Sequence, residues 1–82
     1  MKANVLSPWY RLSQYVSTRR KVTSPGVIHS YTTLDYCDIQ GPTWIGVPYA
    51  PAAGRCAVHH KSQREAEIAT DARLREEGYY LL

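Results

Sequence analysis

Phenylalanine is absent from this 82-residue chain, methionine occurs once and cysteine twice. Without phenylalanine, every aromatic ring carries a polar atom, because the inventory is seven tyrosines and two tryptophans. Such rings favour half-buried positions and binding surfaces, where the ring packs and the hydroxyl or indole N–H finds a partner. Also lacking is any apolar run near the roughly 18 residues that span a bilayer. Met1-Lys2 is not followed by the continuous apolar segment of a signal peptide. These absences lead us to expect a cytoplasmic chain with no membrane partner.

Catalytic signatures are missing too. There is no Gly-rich phosphate loop, no nucleophile elbow and no His-Glu helical zinc motif. Cys37 or Cys56 can be paired with His59 or His60 as a thiolate–imidazole dyad, but no orienting group or oxyanion donor completes it. Asp35 and Asp38 read as turn residues at a strand end. The expectation is a non-enzymatic protein.

What is present bounds the rest. A chain of this length supports one hydrophobic core and one small domain spanning 1–82. A core that size often needs a staple such as a metal, a disulfide or a partner. The net charge is +3 but unevenly spread: residues 1–64 hold eight basic and two acidic side chains, residues 65–82 two basic and five acidic. The chain is therefore bipolar, which can orient it on a charged partner.

Local patterns predict an α+β fold: a small antiparallel sheet of three to four short strands with one C-terminal helix packed on it. Ser62 and Glu65 have capping-box spacing, which predicts a helix over about 62–77. Ile68, Ala69 and Ala72 would form its apolar face, Asp71 and Arg75 an i, i+4 pair, and Gly78 the residue after its end. Tyr79 to Leu82 reads as a terminal strand. Val27 to Tyr36 is rich in β-branched and aromatic residues, and Ser24-Pro25-Gly26 before it signals a turn, so a hairpin with a strand around Tyr15–Thr23 is expected. Thr43 to Val47 suits a further short strand and Ala50 to Arg55 a loop. Ser7-Pro8, followed by Trp9, Leu12 and Val16 as a stripe, favours a short N-terminal helix, although the alternation through Tyr10, Leu12, Gln14 and Val16 also fits a strand.

All soft ligand candidates, His29, Cys37, Cys56, His59 and His60, lie between positions 29 and 60. Structural zinc needs four N or S ligands, usually as two close pairs. Cys56 and His59 make one such pair. The second must come from Cys37 with His60 or His29, and adjacent histidines in extended backbone point to opposite faces. Cys37, Cys56, His59 and His60 are thus the candidate structural zinc ligands. The alternatives are buried thiols or a Cys37–Cys56 disulfide, which the chain-entropy model values at about 3 kcal/mol.

Two binding roles follow. The first is a protein-binding inhibitor or regulator that occupies a site on a larger host complex, the economy of accessory proteins carried by phages and other mobile elements. The second is a nucleic-acid-binding domain. Arg19, Arg20 and Lys21 at the expected hairpin turn would join Arg11, Arg55, Lys61 and Arg64 in a basic patch, with Trp9, Tyr10, Tyr15 or Tyr31 for stacking. The roles can merge if Glu65, Glu67, Asp71, Glu76 and Glu77 on the helix meet a basic groove of a nucleic-acid machine.

Overall fold

The computed structural model describes residues 4–35, 43–50 and 58–82. Five strands form an antiparallel meander in chain order: β2 (Tyr10–Ser13), β3 (Val16–Arg20), β4 (Ile28–Asp35), β5 (Thr43–Val47) and β6 (His59–His60). Two further strands, β1 (Val5–Leu6) and β7 (Tyr80–Leu81), pair in parallel. A helix, α1 (Gln63–Glu76), lies between β6 and β7 in sequence and packs on β4, β5 and β6. The α+β class holds, with more strands than the three to four expected.

The expected N-terminal helix is replaced by β1 and β2. Ser7 does not cap a helix; its backbone N–H donates to the Arg20 carbonyl and its Oγ accepts from the Arg20 N–H. A helix there would have been short enough to be marginal alone, and pairing with β3 offers the same backbone groups long-range partners. Pro8 falls between strands, where its missing N–H costs nothing.

The helix follows its predicted ends closely. Ser62 Oγ accepts from the Glu65 N–H at 3.1 Å, while the Glu65 carboxylate reaches back to the Lys61 N–H rather than to that of Ser62. At the other end the Gly78 N–H donates to the Arg75 carbonyl and the Tyr79 N–H to that of Leu74, the Schellman pattern. Gly78 supplies the positive φ this requires, 91°.

The buried face of α1 is not the predicted one. Ala66, Glu67, Thr70, Asp71 and Leu74 turn inward, while Ile68 is 53 % exposed and Ala72 is exposed. The reason lies in the sheet. Cross-strand register sets Arg11, Ser17, Thr32 and Gly46 on one face, and Arg19 with Ser30. That surface is polar, and it selects a polar helix face. Built onto Gly46, a Cβ would collide with Thr70 Oγ1 and stand 3.0 Å from the Ala66 carbonyl oxygen. Glycine is what lets helix and sheet approach so closely.

Among the described residues the buried hydrophobic side chains are Leu6, Val47, Ala66 and Leu74, outnumbered by buried polar ones. Hydrogen bonds therefore organise this interior. Ser17 and Thr32 hydroxyls bond across β3 and β4, and Thr70 Oγ1 donates to the Ala66 carbonyl at 2.7 Å. Arg19 is the hub. Its Nε and Nη2 grip both Asp71 oxygens at 3.0 and 3.1 Å, and Nη1 donates to the carbonyls of Ser7 and Leu82. Trp9 donates its indole N–H to the same carboxylate at 3.0 Å, and its ring lies 5.0 Å from the guanidinium.

Candidate functional site

Strand alternation divides the predicted basic and aromatic patch between the two faces of the sheet. Arg19 and Trp9 belong to the interior network just described, so neither is available to a partner. Arg19 and Arg20 are neighbours in β3 and not residues of the hairpin turn, which begins at Lys21. Arg11 is on the helix side, 3.7 Å from Glu67. Tyr15 is exposed in the β2–β3 turn. Arg55 lies outside the described residues.

The opposite face gathers the others. Register runs Tyr10, Thr18, Tyr31 and Val47 in one row across β2 to β5, and Val16, Thr33, Ile45 and His59 in the next across β3 to β6. No described helix or strand packs over this face. Tyr10 and Tyr31 stand two strands apart, about 10 Å at the usual spacing, with the fully buried Thr18 between them. Tyr10 is 65 % exposed. Thr18, Thr33, Ile45 and Val47 escaped the sequence reading. Period-two alternation of β-branched residues was the signal that could have found them, had the strand register been known.

At one corner of this face a cleft of about 400 Å³ opens between Ser7, Tyr10, Thr18, Arg20, Lys21 and Pro25. Arg20 crosses its side, its Nη1 donating to the Pro25 carbonyl at 2.9 Å. Thr18 Oγ1 is buried without a hydrogen-bond partner.

The histidines do not converge. β6 pairs His59 with Ile45 and His60 with Trp44, so the two rings leave opposite faces of the sheet. His59 Nδ1 lies 2.6 Å from Thr43 Oγ1 and 3.9 Å from Asp35 Oδ2. His29 is engaged elsewhere. A register shift in the β3–β4 ladder, opposite Arg19 and Arg20, turns it beside Tyr79, with ring centroids 4.7 Å apart. Ser30 donates its hydroxyl proton to the Pro48 carbonyl, so Ser30 Oγ accepts from His29 Nδ1, and Nε2 accepts from the Tyr79 hydroxyl. Burial and the Lys21 ammonium hold His29 below its ordinary pKa, against the opposing pull of Glu77. Cys37 and Cys56 lie outside the described residues, and among the described ones no group of three or more His, Cys, Asp or Glu is arranged to hold a metal.

The acidic helix surface is smaller than expected. Glu67 and Asp71 are buried against arginines, which leaves Glu65, Glu76 and Glu77 exposed. No helix is long and apolar enough to cross a membrane among the described residues. No family model matches the chain, and comparison with curated proteins and with solved structures likewise found no match.

Proposed function

We propose that this chain is a small non-enzymatic protein-binding module that docks the sheet face opposite its helix onto a larger, nucleic-acid-handling complex. It would act there as an inhibitor or regulator of the kind carried by phages and other mobile elements. The observation that carries the reading is Tyr10 and Tyr31 in one row, flanked by Val16 and Ile45, on a face that no described helix or strand covers, with the row ending at the buried Val47. Tyrosines over β-branched neighbours bring rigid contact area together with hydroxyls that can find partners, which is how the centres of protein interfaces are built. In the cell that carries the gene, tagged protein should retain a protein partner that Tyr10→Asp with Tyr31→Asp loses and Ile68→Asp, on the exposed side of α1, keeps. Retention by the double variant at native melting temperature would overturn the reading.

A second reading, direct nucleic-acid binding by a zinc-stabilised domain, is favoured by Tyr10, Arg20 and Lys21 meeting at one cleft, with Cys56 and His59 as the candidate half of a zinc site. The same capture separates the two. Binding through phosphates must fall steeply between low and physiological salt, and zinc would be measurable in the purified protein.

A further inference from the structure

We propose that the cleft between the β1–β2 connector, β3 and the β3–β4 turn is a binding site for a phosphate monoester dianion. Its floor is Thr18, whose Oγ1 is buried and unpaired while Ser17 and Arg19 on either side are fully engaged. Native interiors seldom keep a buried hydroxyl without a partner, and one whose partner arrives with a ligand is a standard reason to keep it. Thr18 is fully buried directly opposite the exposed Tyr10 in the β2–β3 register, and both line the cleft, so a ligand bonds its hydroxyl once the side chains around it shift.

Two cations meet at the walls. The bond from Arg20 Nη1 to the Pro25 carbonyl anchors the guanidinium and leaves Nε and Nη2 unpaired among the described residues. The Lys21 ammonium is also without an ion pair among them, and no carboxylate of the described residues lines the cleft. Two positive charges suit a monoester, which carries about −1.5 to −2 near neutral pH, better than the single charge of a backbone diester. The volume of about 400 Å³ falls in the small-ligand range of about 300–1,000 Å³. That is more than a phosphoryl group requires, and Val22 and Pro25 offer an apolar wall to the organic part of the ester. The site does not depend on the proposed protein partner, because the cleft and its cations belong to this chain alone.

The test is an amide NMR titration of the full chain at constant ionic strength, with inorganic phosphate, then glycerol phosphate, then a 5′-hydroxyl oligonucleotide that contains diesters only, each against chloride. Saturable shifts confined to Ser7, Tyr10, Thr18, Arg20 and Lys21 are expected with both phosphate and the monoester. Lys21→Gln should weaken binding roughly tenfold or more, as for the loss of a charge-assisted hydrogen bond. Thr18→Val, which removes an unpaired hydroxyl, should weaken binding while leaving the melting temperature unchanged or higher. Shifts no different from those with chloride would overturn the proposal, as would unaltered affinity in both variants. Tighter binding of the oligonucleotide at equal phosphate concentration would overturn the monoester assignment in favour of a nucleic-acid backbone.

Discussion

Two buried carboxylates one position apart in their helical row, Glu67 and Asp71, differ in what their removal or rescue should cost. Asp71 faces Arg19, and both are almost fully enclosed, with 11 % of the Asp71 and 5 % of the Arg19 side-chain surface exposed. Replacing Arg19 with methionine would leave the Asp71 carboxylate with only the Trp9 indole N–H in a place water cannot reach, a change that typically costs about 3–5 kcal/mol. Glu67 is different, since it is 2 % exposed but its partners Arg11 and Arg64 are 55 % and 68 % exposed at 3.7 and 3.4 Å. Its other oxygen is buried without a partner. Removing Glu67 strands no charge, because both arginines keep their water. We expect Glu67→Met to be neutral or stabilising by up to about 1 kcal/mol and Arg19→Met to approach loss of the fold. Urea unfolding of the two variants checks this, and equal destabilisation would contradict it. The Trp9 indole, bonded to Asp71, should report the Arg19 variant through its fluorescence.

Between α1 and β5 the decisive residue has no side chain. Adding a methyl at Gly46 forces either Thr70 out of its bond to the Ala66 carbonyl or the helix away from the sheet. Gly46→Ala should therefore cost about 1–3 kcal/mol as an overpacking change, and Gly46→Ala with Thr70→Ala should recover part of it by removing the Thr70 Oγ1 that the new methyl would meet. A chemical-denaturation cycle that shows strict additivity would mean the two positions do not touch. This contact also shows where sequence reading reaches its limit. The helix ends were legible because Ser62, Glu65 and Gly78 act within a few residues of where they sit. So were β4, from its β-branched run, and the hairpin, from Pro25-Gly26. The face of α1 was not legible, since Ile68 and Ala72 are the more apolar choice and only the polar sheet opposite selects Thr70 and Asp71. The N-terminal strands were hidden for the same reason, as Ser7 pairs with Arg20 across a distance in sequence that no local pattern spans. The proposed docking face fared in between: Tyr10, Tyr31, Arg20 and Lys21 are recognisable by type, but strand register withdraws Trp9 and Arg19 from it and adds Thr18.

Across the molecule, the charge asymmetry of the chain is partly folded away. The acidic segment 65–82 contributes Glu67 and Asp71 to pairs with Arg11, Arg19 and Arg64 from the basic segment 1–64, so two of its five carboxylates are spent inside. What reaches solvent on the helix is Glu65 at its start and Glu76 and Glu77 beside Arg73 and Arg75 at its end, while Arg20 and Lys21 form a basic corner, with His29 between Lys21 and Glu77 in its electrostatics. His29 joins β4 to the segment after the helix through Tyr79, and its neutral form is the one the fold prefers. Its folded pKa is below the ordinary 6.5, so as pH falls through that value the unfolded chain takes up the proton first. The stability that neutral His29 contributes is complete above about pH 6.5 and declines below it, until the lower folded pKa is reached and the slope ends. The melting temperature should accordingly fall between about pH 7.5 and 5.5, and His29→Gln, which still offers a donor and an acceptor to Ser30 and Tyr79, should flatten that fall. Glu77→Gln should steepen it, because Glu77 is the group that favours the charged ring. A His29→Gln variant with the same pH slope as the parent would place the titration elsewhere.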